Sequence, residues 1–223
     1  AASDLLTMFV ALEVLSLPLY LLAGLARRRR LLSQEAALKY FLLGAFSSAF
    51  VIYGVALLYG YAGSMDYAAI SEAISGRAGG SVLLLGGTGM IAVGLLFKVG
   101  AAPFHSWTPD VYQGSPTAVT AFMAAATKIA AFGALLRVFY VALGGARWDW
   151  TPMIWVVAIL TMVVGSVIAL AQNDIKRMLA YSAIAHTGFI LTGFVGFQQA
   201  GQGIGGIGSV QAVMFYLVTY GFM

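Results

Sequence analysis

No cysteine occurs in the 223 residues. Disulfides, thiol catalysis, cysteine-ligated iron–sulfur clusters and Cys-type zinc sites are therefore excluded. Charge is almost as scarce: Asp, Glu, Lys and Arg make up 9% of the chain, against about a quarter in a soluble domain. A chain that is 61% hydrophobic, with a mean hydropathy of +0.92, cannot cover a water-facing surface with polar groups. A soluble domain is excluded, and the solvent implied is the lipid bilayer. The two histidines have no partner at helical spacing, so no metal centre is expected. The net charge of +4 is gathered in a few places and forms no stripe, which excludes nucleic acid as a partner. No signal peptide is visible, and the chain ends inside an apolar run that begins near Val210. It reads as an internal piece of a longer protein.

What is present is a series of long apolar runs. A crossing needs about 20 such residues. Residues 4–26 form a first candidate, ending at Arg27, Arg28, Arg29 and Arg30, and 35–61 a second. A third covers 81–99 and continues, after a break, over 104–112. The fourth is 116–143, with Ser115 read as its cap and Pro116 as its first helical residue. Residues 152–171 and 176–197 are the fifth and sixth, and a seventh begins near Ser209. The expected fold is all-α: a polytopic transmembrane bundle of about seven spans, one of them broken. Alternating the crossings puts Arg27 to Arg30, Lys176 and Arg177 on one side and only Arg77 and Arg147 on the other. The positive-inside rule makes the first side cytoplasmic. Residues 62–80, 144–151 and 201–208 become external loops, with Trp148 and Trp150 in the interfacial belt.

Ionisable groups inside such spans cost at least about 2.5–3.5 kcal/mol each and are functional candidates by default. Glu13 lies near the middle of the first span, Lys98 deep in the third and Lys128 almost central in the fourth. Glu13 reads either as a structural ion pair or as a carboxylate that exchanges protons. Lys39 is about one turn inside the second span and can also snorkel to the headgroups. His105 and His186 are either hydrogen-bonded packing residues or relay members. Arg137 faces away from Lys128 and reads as an anchor or a lipid contact. The glycines of "GGTG", Gly86 to Gly89, lie inside a span without P-loop context and read as helix packing.

The stretch "LLFKVGAAPFHSWTPD", Leu95 to Asp110, combines a lysine, a break and a histidine. Pro103 has no N–H to offer the carbonyl near Val99, and Gly100 eases the opening of the turn. Free backbone groups at membrane depth are tolerated only where protein or water satisfies them. The expectation is a hydrated cavity at Lys98. If the helix resumes, His105 lies about 10 Å along it on nearly the same face. Ser106, Thr108, Thr120 and Thr127 are then candidates to hold bridging waters.

The segment "LLFKVGAAPFHSWTPDVYQGSPTAVTAFMAAATKIAAFGALLRVF" (Leu95 to Phe139) strongly resembles the antiporter-like proton-translocating subunits of respiratory complex I. "ALKYFLLGAFSSAFVIYGVALLYG" and "NDIKRMLAYSAIAHTGFIL" point to the N-type branch of bacterial NADH–quinone oxidoreductase. The resemblance covers essentially the whole chain. It implies a fold of fourteen helices with two inverted repeats, of which residues 1–143 carry most of the first and 152–223 the start of the second. By resemblance Glu13, Lys39, Lys98 and Lys128 match the family's intramembrane glutamate and lysines. His105 and His186 match histidines near the hydrated axis. Also implied are a bacterial inner membrane and L-, M- and K-type membrane chains as partners. The redox groups, FMN, iron–sulfur clusters and quinone, are expected in other subunits and none in this chain.

The mechanism this suggests is proton translocation by coupled charge shifts. A Glu13–Lys39 pair, tight or separated, changes the proton affinity of Lys98. The coupling is roughly 2 kcal/mol at about 8 Å and an effective dielectric of about 20. Lys98 then passes its proton through water and His105 toward Lys128. Two other readings stand beside it: a sodium/proton antiporter of the Mrp type, and a membrane scaffold whose buried charges only lock helices together.

Overall fold

In a computed structural model, residues 2–26, 30–76, 81–196 and 204–222 are described, with only the backbone for 204–208. The architecture is all-α as expected, without a named strand among the described residues. Among the described residues ten α-helices follow one another, and six helical stretches are long and apolar enough to cross a membrane. Helix α1 is Leu5–Ala23, α2 Arg30–Ala62, α3 Tyr67–Ser75, α4 Val82–Val99 and α5 Trp107–Gly114. A single span over Thr117–Ala142 is built from α6 (Thr117–Phe122), a π-turn at Met123–Thr127, α7 (Lys128–Leu136) and a second π stretch at Arg137–Ala142. Helices α8 (Arg147–Leu170), α9 (Ile175–Gly196) and α10 (Ile204–Phe222) complete the chain.

Lipid explains the outer surface. Leu21, Leu31, Val82 and Leu170 are all more than three-quarters exposed, and side chains of this kind need no cover in hydrocarbon. The inside packs in two clusters. The larger runs through Leu58, Ile91, Leu95, Phe132, Phe139 and Trp150. The smaller surrounds the break, with Tyr20, Tyr40, Phe97, Trp107, Tyr112 and Met123. Helices α2 and α4 approach closely at Gly54, where a Cβ would meet the Gly87 carbonyl at 2.8 Å. The glycines at 86–89 thus lie in α4, and Gly87 packs on α2 as expected of helix packing.

Several boundaries differ from the sequence reading. Helix α1 stops at Ala23, and Asp4 is its cap: the carboxylate accepts from Thr7 Oγ1 (2.6 Å) and Thr7 N (2.7 Å). Those bonds hold the Asp4 carboxyl below its ordinary range. Helix α2 is a full turn longer at its start than expected, opening at Arg30. Ser115 does not cap the fourth span; its Oγ is buried without a hydrogen-bond partner, and Pro116 occupies the cap position itself. The loop expected over 62–80 contains α3, which buries Tyr67, Ile70 and Ile74 against the Arg137–Ala142 stretch. Arg137 lies 5.8 Å over the Tyr67 ring, so its anchor is a protein aromatic face. The loop 144–151 is a 3₁₀ turn followed by the first turn of α8. Trp148 is 84% exposed there, but Trp150 is buried and donates its indole N–H to the Leu143 carbonyl. Helix α10 begins at Ile204, inside the expected Gly-rich loop. Arg27 to Arg29 and Arg77 lie outside the described residues.

Candidate proton-transfer site

The broken span is built from the backbone up. Gly100 ends α4 in the left-handed region, at φ +74°, where a side chain would be strained. Its N–H turns back to the Phe97 carbonyl, and the Ala101 N–H to that of Leu96. Pro103 supplies no donor for the Val99 carbonyl. That carbonyl instead accepts from Thr187 Oγ1 of α9, at 3.1 Å. On the other lip, the Ala102 N–H donates to Thr161 Oγ1 of α8, at 2.9 Å. Protein hydroxyls satisfy these two groups. Trp107, the first residue of α5, reaches back to the Phe97 carbonyl with its indole N–H (3.0 Å) and stacks on Tyr40 and Phe97. The helix resumes only at Trp107, beyond His105, so Lys98 and His105 do not share a helical face as expected. His105 sits in the intervening turn, half-buried, with Nδ1 buried and unpartnered and the Tyr181 ring 6.3 Å away.

Lys98 Nζ lies 3.1 Å from Glu13 Oε1 and 2.7 Å from Ser16 Oγ. Ser48 Oγ donates to the same carboxylate oxygen, at 2.6 Å. The pair is shielded, with side-chain exposures of 11% for Lys98 and 21% for Glu13. Sequence reasoning had Glu13 answering to Lys39, and this is corrected: Glu13 pairs with Lys98 itself. A cavity beside the pair, lined by Ser16, Tyr20, Lys98 and Thr127, has about 10 Å³ for water centres. That is room for about one water. The Tyr20 hydroxyl is buried there on the Ser16 side, and its close approach to α2 requires a glycine at Gly44.

Lys39 belongs to a different cluster. Its Nζ is 2.7 Å from Asp110 Oδ2 and 2.6 Å from Glu35 Oε1, one helical turn back. The other oxygen of Asp110 takes Arg177 Nη1 at 2.6 Å, and Arg177 also meets Gln113 and Gln172. One carboxylate on α5 thus pins the starts of α2 and α9. The end of α5 therefore lies beside the starts of those helices, as the single broken crossing requires. Asp110 and Arg177 were not among the expected site residues. The available signal was that Asp110 is the only carboxylate between Glu72 and Asp149.

Lys128 follows the first π-turn and is buried, 3% exposed. Its partners are neutral: the Ala183 carbonyl at 2.5 Å, Thr187 Oγ1 at 3.0 Å and the Tyr220 ring, 5.4 Å to its centroid. π-turns recur at functional positions because they redirect side chains out of helical register. His186 stands nearby, with Nδ1 2.5 Å from the Tyr216 hydroxyl and its ring 5.2 Å from that of Tyr220. Of the candidate waterside hydroxyls, Thr127 bonds the Met123 carbonyl and Thr120 those of Tyr112 and Pro116. Thr108 Oγ1 is buried and unpartnered. Among the described residues no group of three or more acidic or histidine side chains is placed to hold a metal.

The family described as NADH:quinone oxidoreductase/Mrp antiporter, transmembrane, matches residues 2–223. The chain belongs to that family. It is 72% identical, over its whole length, to the NADH-quinone oxidoreductase subunit N of a Nocardioides species, of which it covers 42%. The chain spans about two-fifths of the length of the curated relatives it matches. A chain of respiratory complex I from Thermus thermophilus, solved with bound aureothin, superposes with a TM-score of 0.78 at 44% identity. That alignment covers 99% of this chain and 44% of the other. A chain of the Mrp complex from Dietzia sp. DQ12-45-1b superposes at 0.84 with 25% identity, covering 98% and 39%.

Proposed function

We propose that the chain is part of the N-type membrane subunit of a bacterial NADH–quinone oxidoreductase and moves protons across the inner membrane. The observation that carries this reading is the Glu13–Lys98 ion pair at a broken helix whose free carbonyl is joined, through Thr187, to the buried Lys128. In this reading Glu13 holds or releases Lys98 according to the charge state of the neighbourhood. Lys98 exchanges its proton through the small cavity at Ser16 and Tyr20, and Lys128 receives it. His105 and His186 flank the path, and Lys39, clamped by Asp110, stands at its cytoplasmic mouth beside Arg177. Electron transfer through FMN, iron–sulfur clusters and quinone in other subunits supplies the energy. L-, M- and K-type chains are the membrane neighbours.

The Mrp-complex chain superposes more closely than the complex I chain, but at lower identity. Both branches of the family share the fold, so superposition does not separate them; sequence identity does, and it favours the oxidoreductase. The test is Lys98→Ala in the full subunit within the assembled complex, followed in membrane vesicles by a pH-sensitive dye. Assembly should persist, because Glu13 is the more exposed partner and keeps the Ser48 hydrogen bond, while NADH-driven proton uptake is lost. Loss of assembly with uptake intact per complex would support a scaffold, and sodium-dependent exchange by the isolated subunit would support an antiporter.

A further inference from the structure

Thr187 stands where the two lysine sites meet. Its Oγ1 is 3.0 Å from Lys128 Nζ, 3.1 Å from the Val99 carbonyl and 3.0 Å from the Ala183 carbonyl, in a fully buried position. A hydroxyl has one hydrogen to give. An ammonium has no lone pair, so against protonated Lys128 the Thr187 oxygen accepts and its hydrogen goes elsewhere. The Ala183 carbonyl has two lone pairs, and both are in use: one takes an N–H of Lys128 at 2.5 Å, the other the helical backbone N–H of Thr187, four residues along α9. The hydrogen therefore goes to Val99, whose carbonyl has lost its helical donor at Pro103. An amine does carry a lone pair. Once Lys128 has released its proton, the Thr187 hydrogen can turn to the nitrogen, and the Val99 carbonyl is left bare in a buried setting, which is costly.

Thr161 is the internal contrast. Its hydroxyl donates to the Val157 carbonyl at 2.5 Å and accepts the Ala102 N–H. None of its described partners titrates, so its bonds stay the same whatever the lysines do. The groups facing Lys128 are Tyr220 on α10, which also packs against the aromatic cluster around the break, and, beyond it, His186 on α9; neither is hydrogen-bonded to the Val99 carbonyl by a described contact.

We propose that Thr187 is a positioning residue that couples the proton state of Lys128 to the backbone of the broken helix, and through Val99 to the adjoining Lys98. The inference rests on the function proposed above. With Lys128 charged, the break is held at Val99. With Lys128 neutral, that hold is released, and the α4 end carrying Lys98 is free to shift against Glu13. One hydroxyl thereby makes each lysine sensitive to the other without a direct contact.

The experiment compares Thr187→Val, Thr187→Ser, Thr161→Val and Lys128→Met in the full subunit of the assembled complex. NADH-driven proton uptake in vesicles is measured per complex, with assembly followed on native gels. Val keeps the shape and loses the hydroxyl; Ser keeps the hydroxyl and loses a methyl. Coupling predicts that Thr187→Val lowers uptake about tenfold, the weight of one hydrogen bond to a charged group, while Thr187→Ser stays near wild type. Thr161→Val should act on assembly alone. A purely packing role reverses the order of Val and Ser and overturns the inference. So does wild-type uptake in Thr187→Val when Lys128→Met has lost it, an outcome that leaves the proposed function standing. Undiminished uptake in Lys128→Met overturns both.

Discussion

Among the described residues, Lys39 faces two carboxylates, Lys98 one, and Lys128 none. Exposure falls in the same order: the Lys39 side chain is 41% exposed, that of Lys98 11%, and Lys128 is buried. The difference bears on what each ammonium can do. If Lys39 lost its proton, Glu35 and Asp110 would lose a counter-charge, so its company favours a standing charge that ties α2 to α5. Among the described residues the contacts of Lys128 are a carbonyl, a hydroxyl and an aromatic face. It can become an amine without stranding an anion. Lys98 stands between the two, with a single carboxylate that is itself shared with Ser48. The series separates a lysine that holds helices from one equipped to pass protons.

The largest effect expected of breaking that series is at its neutral end. Lys128→Met should reduce proton uptake per assembled complex by about a hundredfold, the scale of a lost acid–base group. Lys39→Met should instead lower the yield of complex on native gels and leave uptake per complex in place. Equal behaviour of the two variants in the dye assay would break the comparison.

At the middle member the effect moves from transport to assembly. Glu13→Gln moves Lys98 into the neutral company that Lys128 keeps, and the buried ammonium then loses its counter-ion. Leaving one partner of a buried pair alone costs about 3–5 kcal/mol, so assembly should fall. Adding Lys98→Met removes the stranded charge and should restore assembly but not proton uptake. A double variant no better assembled than Glu13→Gln would show that the pair carries no mutual dependence.

The smallest effect belongs to the exposed cluster. Asp110→Asn takes the shared anion from Lys39 and Arg177, but these pairs are part-exposed and worth about 1 kcal/mol. The thermal midpoint of the complex should drop by a few degrees, and the gap to wild type should narrow in high salt. A salt-independent loss of uptake would move Asp110 from the clamp into the proton path.

Much of this arrangement was legible in the sequence because span length and buried charge are one-dimensional signals. The six long spans, the break at Gly100 and Pro103 and the depth of Lys98 and Lys128 could all be read along the chain. The partner of Glu13 could not. A residue's depth follows from its position in a helix, but its neighbour depends on how α1 is rotated against both α2 and α4. Asp110 and Arg177 escaped because charges near helix ends look like topology signals, and only the fold brings residues 67 positions apart to 2.6 Å. Thr187 escaped for a related reason. A threonine in an apolar helix usually returns its hydroxyl to its own backbone, and the Ala183 carbonyl stands 3.0 Å from this one. Nothing along the chain announced that it also serves a carbonyl 88 positions away.

The tether from Trp107 to the Phe97 carbonyl limits how the two halves of the broken span can move. Sliding them apart would cost an indole hydrogen bond and the stacking on Tyr40 together. Tilting α5 about that point costs neither. A pivot so placed has Lys98 on its near side and Asp110 three residues along its far arm. A small swing would therefore tug on Lys39 and Arg177 at the membrane edge, giving the rim a mechanical sense of events at the centre.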